Sequence, residues 1–142
     1  MRAATRILSI VLVVLATYSC IAPQNSVMER VDMRSWSRVK SLAYINIDTL
    51  SQRDLNIAIR YNDNFENNIL PLRMTIMTPD SMLFEDTVML QLLRPATALS
   101  VSTTESRPYR TDVVLNRKGA YIFAFKPLTE VRGVEAIGIE LK

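Results

Sequence analysis

Histidine is absent from this 142-residue chain, and cysteine occurs once, at Cys20. Without histidine the chain lacks the commonest general base, the commonest zinc ligand and the usual proton switch near neutral pH. Without a second cysteine it cannot form an internal disulfide. The Gly-x-Ser-x-Gly spacing of a nucleophilic serine is also missing. These absences predict no catalytic residue, no metal site and no cofactor.

Neither sign of charge is in large surplus. The chain has 17 basic and 14 acidic residues, which gives a formal net charge of +3. Two of the basic residues, Arg2 and Arg6, lie in the first few positions, and without them the surplus falls to +1. A nearly balanced surface gives no reason to expect a nucleic-acid partner.

A hydrophobic run long enough to span a membrane is missing as well. The apolar stretch over residues 7–16 is followed by Thr17, Tyr18 and Ser19, whereas a spanning helix needs about 20 apolar residues. A basic start, a short apolar run and a small residue before the cut are typical of an export signal. We therefore expect a signal peptide over residues 1–19, with cleavage between Ser19 and Cys20, and a membrane span is the weaker interpretation.

Cys20, directly after this signal, is expected to carry a lipid. The lipoprotein pattern places a large aliphatic residue three positions before the cysteine and a small one directly before it; here these are Thr17 and Ser19, with a bulky Tyr18 between them. Two acyl chains suffice for stable anchoring in a membrane. The alternative is an ordinary secretory signal followed by a cysteine without a function.

The rest of the chain divides into a tether and one domain. Residues 20–34 are polar and only weakly periodic, and we expect them to be an acylated tether that lets the domain stand away from the bilayer. Residues 35–142 are expected to form a single domain that needs no disulfide or metal. Neither an internal repeat nor a low-complexity tract interrupts it.

Within the domain, apolar residues recur with a period of two, which indicates half-buried antiparallel strands. About seven strands are predicted, over residues 41–48, 55–62, 70–76, 88–92, 111–115, 121–125 and 137–141. Turn residues such as Pro79-Asp80 and Lys118-Gly119 fall between these runs. The pattern predicts an all-β fold, a single antiparallel β-sandwich with Ig-like or jelly-roll topology. Residues 95–110 lack strand character and are expected to form a functional or mobile loop.

A series of short landmarks in this order resembles the gliding motility lipoprotein GldH family of the Bacteroidota. The landmarks are Trp36, the strand ending in Arg60-Tyr61-Asn62, Asn68 before Leu70-Pro71-Leu72, Phe84-Glu85-Asp86, Pro108-Tyr109, Gly119-Ala120-Tyr121 and the closing Val131 to Ile139. The resemblance runs from about Trp36 to the C-terminus. Residues 95–104 depart from it, because they lack the turn with glycine and tryptophan that family members carry.

The resemblance implies a non-enzymatic outer-membrane lipoprotein that takes part in the envelope machinery of gliding and type IX secretion. The implied partners are the membrane, through the anchor at Cys20, and other envelope proteins. Residues 21–25, Ile-Ala-Pro-Gln-Asn, contain no acidic cluster, whereas surface-displayed lipoproteins of this phylum often carry one. We therefore expect the domain to face the periplasm.

A candidate interaction surface follows from the polar strand face and the landmarks. It comprises Arg60, Asn62, Asn68 and Tyr109. The alternative for Arg60 is that its charge is solvated or loosely paired and has no binding role. Trp36 is expected either to cap one end of the core or to anchor an interface.

Two other functions stay open. One is a carbohydrate- or ligand-binding sandwich, although most aromatic residues share strand parity with the core. The other is a hydrolase; Glu85 and Asp86 are adjacent and point to opposite sides of a strand, so they cannot work as a glycosidase pair.

Overall fold

The computed structural model describes residues 25–93 and 102–142. These residues form eight strands and no helix. The strands are β1 (Ser26–Arg30), β2 (Lys40–Asn46), β3 (Gln52–Tyr61), β4 (Ile69–Met77), β5 (Leu83–Gln91), β6 (Thr103–Val114), β7 (Gly119–Pro127) and β8 (Val134–Leu141). They lie in two four-stranded antiparallel sheets with the orders β1-β8-β3-β6 and β2-β7-β4-β5. The predicted all-β sandwich is confirmed.

The order of the strands is that of a jelly roll. The ladders pair β1 with β8, β2 with β7, β3 with β6 and β4 with β5, as in one long antiparallel ribbon rolled into two facing sheets. Of the two topologies left open by the sequence, the jelly roll therefore fits and the Ig-like order does not.

The core lies between the sheets and is built by alternate residues of each strand. Ile57 and Ile59 of β3 and Phe123 and Phe125 of β7 are fully buried in one core cluster. The alternation predicts that seven side chains in particular are buried, and each is exposed by 3% or less: Ile57, Ile59, Leu72, Met74, Leu90, Phe123 and Ile139. The period of two thus identified the inner faces correctly.

The expected tether over residues 20–34 is wrong in part, because β1 belongs to the sandwich. Ser26–Arg30 pairs along its whole length with β8, and its backbone lies so close to Gly138 that a Cβ there would overlap the Val27 carbonyl oxygen. Val27 is the residue of this strand that packs against the core, and it is only partly buried. The strand therefore shows no alternation of apolar residues from which it could be predicted. The described domain begins before residue 35.

The expected loop over residues 95–110 also needs correction. Residues 103–110 are the first two-thirds of β6, which runs antiparallel to β3. Its inward positions include Glu105, Arg107 and Tyr109 rather than aliphatic residues, so hydrophobic periodicity does not reveal it. Proline is tolerated at position 108 because β6 is an edge strand, and a residue whose N–H would point away from the sheet needs no N–H for the ladder.

The two sides of the sandwich differ. On the closed side, which we define by the edge strands β1 and β2, these strands pack against each other. Glu29 and Lys40 approach to 3.8 Å there, and the backbones of Trp36 and Val131 form a bridge. On the open side, defined by the edge strands β5 and β6, the two strands belong to different sheets and contact each other through side chains such as Tyr109 and Asp86.

One end of the sandwich, which we call the Asn25 end, collects the beginning of β1 and three loops. The loops cover residues 47–51, 78–82 and 115–118. Buried Asn46 links two of them: its Nδ2 donates to the carbonyls of Leu115 and Arg117 at 2.8 and 2.9 Å, and its Oδ1 accepts from Arg53 Nη2 at 2.9 Å. These bonds hold the loops in place.

Candidate functional site: a cleft on the open side

A cleft of about 560 Å³ lies between the sheets where the open side meets the Asn25 end. Its walls are the hairpin from β4 to β5 and the last residues of β6, and its floor is the core side chains Leu55, Ile76 and Phe123. The floor is therefore apolar.

Phe84 is the most distinctive side chain of the cleft. Even-numbered residues of β5 face the other sheet; Leu90 is buried and Val88 is half-buried, yet Phe84 is 53% exposed. It stays exposed because β5 is an edge strand and the facing strand β6 presents polar side chains. An aromatic ring that points into a gap between sheets can receive an apolar group.

Polar contacts cross the gap beside this ring. The Tyr109 hydroxyl donates to Asp86 Oδ2 at 2.9 Å, and Arg110 Nη2 lies 3.7 Å from the same oxygen. The Arg110 guanidinium also lies 5.2 Å from the centre of the Tyr109 ring. Burial is the main reason that the pKa of Tyr109 is raised above its ordinary value of 10. Tyr109 therefore keeps its proton and serves as a hydrogen-bond donor.

A second ion pair lies at the mouth of the cleft. Asp80 Oδ2 lies 3.7 Å from Arg117 Nε, and a hydrogen bond from the Thr78 hydroxyl is the main cause that lowers the pKa of Asp80. Asp80 is thus ionised at neutral pH, and each of the two cleft carboxylates, Asp80 and Asp86, lies beside an arginine. In the described part of the chain, His, Cys, Asp and Glu nowhere form a group of three that could hold a metal ion. The apolar floor, the exposed ring of Phe84 and the ion pairs around the mouth of the cleft together suit the binding of another molecule.

The predicted interaction surface is only partly assembled. Arg60 and Asn62 lie on the outer face of the β1-β8-β3-β6 sheet, where both bind the carboxylate of Glu135. Arg60 Nε lies 3.2 Å from Oε2, and Asn62 Nδ2 donates to Oε1 at 3.0 Å. The Ser102 hydroxyl bonds the same carboxylate at 2.9 Å. Arg60 is therefore an ion-paired surface residue.

Asn68 and Tyr109 do not join that face, and the expectation of one surface is wrong. Asn68 precedes β4 in the other sheet, where its carbonyl accepts from the Leu92 amide at 2.8 Å. Tyr109 points between the sheets, because alternate residues of β6 face opposite ways.

The other residues singled out from the sequence are Trp36, Glu85 with Asp86, and Ser19 with Cys20. Trp36 is 3% exposed and its Nε1 donates to the Arg38 carbonyl at 2.8 Å, so it closes the core. Glu85 faces outward and lies 3.7 Å from Arg73, opposite to Asp86, as expected from adjacency. Ser19 and Cys20 lie outside the described residues.

The sequence reasoning missed Phe84 as an exposed ring. Its parity with Val88 and Leu90 marked it as core, and nothing local to β5 indicates that the facing strand is polar. The signal that could have found it is the alternation of charged and hydroxyl residues in Glu105-Ser106-Arg107, read as an edge strand opposite β5.

Comparisons with known proteins add no family. The chain matches no protein-family model and no curated protein. Across the described residues, no helix combines the length and apolar character that crossing a bilayer requires.

Proposed function

We propose that this chain is a non-enzymatic outer-membrane lipoprotein of the periplasmic face that resembles GldH and binds another envelope protein. In this proposal Cys20 carries the lipid and the jelly-roll domain carries the binding surface. The machinery of gliding and type IX secretion, which the resemblance implies, supplies the class of partner.

The observation that carries the proposal is the open cleft beside Phe84. A ring that is 53% exposed above an apolar floor costs solubility, and such surfaces mark sites of interaction. The ionisable groups around it are paired with each other. These features support binding of an apolar side chain from a partner.

The outer edge of β5, which pairs with no other strand of the described residues, indicates how a partner would be held. Thr78 N donates to Met82 O, and Leu92 N donates to Asn68 O, at 2.9 and 2.8 Å. The even-numbered residues of β5 therefore bond β4, and the odd-numbered ones direct their N–H and C=O groups away from the sheet. An extended segment can add to this edge and cover the cleft.

The opposite edge is less suited to such an addition. In β6, Pro108 has no N–H to offer, and Asp112 adopts a φ of 54° where the register between β3 and β6 shifts. We therefore place the partner on β5.

Affinity capture from solubilised envelope tests this proposal. Phe84→Ser should reduce capture of the partner at least about tenfold, as expected when a buried aromatic anchor is lost. Met89→Ser is the matched control, because Met89 is 60% exposed on the outer face of the same strand, and it should retain capture. Equal capture by wild type and Phe84→Ser, with unchanged melting temperatures, contradicts the proposed site.

The anchor needs its own test. Mass spectrometry of the mature N-terminus should find an acylated Cys20, and Cys20→Ala should move the protein out of the membrane fraction. An unmodified N-terminus at another residue contradicts the lipoprotein assignment.

A second function, binding of a carbohydrate or another small ligand, is favoured by the same pair of aromatic residues. Phe84 and Tyr109 both line the cleft, and sugars stack on aromatic rings. Calorimetric titration of the domain with oligosaccharides decides between the two: saturable binding that Phe84→Ser removes would favour the ligand over the protein partner.

A further inference from the structure

The two most exposed large apolar side chains of the described residues lie on one loop. Leu50 is 86% exposed and Ile47 is 72% exposed, and both belong to the loop between β2 and β3. Ile45, at 62% exposure, lies on the outer face of β2 just before the loop. We call Ile45, Ile47 and Leu50 the apolar tip. Clustered exposed aliphatic residues mark a surface that contacts something apolar.

The loop is held in a defined shape. Asp48 Oδ1 accepts hydrogen bonds from the N–H groups of Leu50 and Ser51, each at 3.0 Å. Hydrogen bonds from the Ser51 side chain, and then from these two amides, lower the pKa of Asp48 to about 2. Arg53, after the loop, donates to the Tyr44 hydroxyl at 3.0 Å. Leu50 is therefore presented outward by a fixed turn.

The apolar tip lies at the end of the domain where the chain enters. Leu141 N donates to Asn25 O at 2.7 Å, and the backbones of Lys142 and Asp54 bond each other at 2.8 and 3.0 Å. These bonds connect β1, β8 and β3 in one row, so Asn25 lies two strand spacings, or about 10 Å, from Asp54. Leu50 precedes Asp54 by four residues at the same end.

Only five peptide steps separate Cys20 from Asn25. Fully extended, they span at most about 18 Å. With β1 in the sandwich, no long tether remains to lift the domain, so an acyl chain at Cys20 keeps the Asn25 end within that distance of the bilayer.

Charge at this end favours neither attraction to nor repulsion from an anionic surface. The acidic residues Asp48, Asp54, Asp80 and Asp112 stand against the basic residues Arg53, Arg117, Lys118 and Lys142. Contact with a membrane here would depend on apolar burial, which salt does not screen.

We propose that the apolar tip inserts Ile47 and Leu50 into the interface of the bilayer that holds the lipid anchor. This inference rests on the acylated Cys20 of the proposed function, and it adds an orientation: the Asn25 end lies against the bilayer, with the closed side nearest the anchor. A second copy of the chain is the competing occupant of the tip.

Lipid quenching of a fluorophore tests the orientation in the full acylated protein. Because the sulfur of Cys20 is blocked by acylation, Leu50→Cys provides a single reactive thiol for a polarity-sensitive dye. Val39→Cys is the matched control, because Val39 is 57% exposed just before β2, at the opposite end of the domain. Both proteins are reconstituted in vesicles of phosphatidylethanolamine and phosphatidylglycerol that carry nitroxide-labelled lipid.

We expect the dye at position 50 to be quenched at least about twofold more than the dye at position 39, without dependence on salt. Equal quenching at both positions overturns the inference. So does a dye at position 50 that is shielded from lipid but reports energy transfer between copies, because the tip then binds a second copy.

Mass spectrometry of the same sample separates this failure from that of the proposed function. An acylated Cys20 with no preferential quenching at position 50 contradicts only the orientation. A Cys20 without lipid contradicts the lipoprotein assignment, and the orientation falls with it.

Discussion

The closed and open sides of this sandwich are built from the same kind of edge strand but are finished differently. On the closed side, β1 and β2 pack together and Trp36 is buried between the sheets. On the open side, Phe84 of β5 is 53% exposed, and the link to β6 consists of Tyr109 and Arg110 contacting Asp86. An aromatic residue thus completes the core on one side and lines a cleft on the other.

The difference follows from what the facing strand offers. The closed side obtains apolar cover from the bridge between Trp36 and Val131, whereas on the open side β6 turns Glu105 and Arg107 inward. The two groups form a 3.2 Å ion pair, and the Nε atom of Arg107 is buried without a hydrogen-bond partner among residues 25–93 and 102–142. In this jelly roll, one side is therefore sealed by apolar packing, while the other side keeps an open cleft between the sheets.

Substitution of the two aromatic residues should give the largest effect. Trp36→Ala should lower the free energy of unfolding by about 3–5 kcal/mol, because it empties a buried site. Phe84→Ala should lower it by less than about 1 kcal/mol, because its ring is largely in water. Urea denaturation of the mature domain measures both, and similar losses would show that the two sides are not distinct.

A smaller loss of stability is expected from a side chain at Gly138, where the backbone of β1 lies close to β8. In Gly138→Ala the new Cβ would overlap the Val27 carbonyl oxygen and lie 2.7 Å from Met28 Cα, so the domain should lose about 1–3 kcal/mol. Amide exchange should accelerate in β1 while the open side stays protected. Thr104→Ala, at an exposed position of the edge strand β6, is the control and should change stability by about 0.5 kcal/mol or less.

The smallest effect concerns acid and the loop of the apolar tip. Since the pKa of Asp48 is lowered from 3.8 to about 2, the carboxylate stabilises the folded loop above pH 3.8, and this contribution is lost as the pH falls toward 2. The amide resonances of Leu50 and Ser51 should shift over that interval. Asp48→Asn should abolish the shift, and a shift that persists in this variant assigns it to another group.

Prediction from sequence succeeded where side chains report the layer they occupy. The alternation of Ile57 and Ile59, or of Phe123 and Phe125, exists because one face of each strand is buried, so it specified strands and core together. It failed for β1 and β6, whose inward residues are few or polar. There the ladder, and not side-chain burial, creates the strand.

The candidate site was harder to predict for the same physical reason. Arg60 and Asn62 follow each other by two positions in one segment and so meet on one face, at Glu135. The cleft instead depends on β5 and β6 facing each other from different sheets, and no local pattern states which strands face each other. Phe84 could be recognised as exposed only after β6 was placed.

Photo-crosslinking in the native envelope tests the division between the two sides most directly. A photoreactive phenylalanine analogue is placed at position 84 in one strain and at position 50 in another. The account predicts that position 84 crosslinks to a protein and position 50 to phospholipid. Lipid adducts at position 84, or the same protein adduct from both positions, would contradict it.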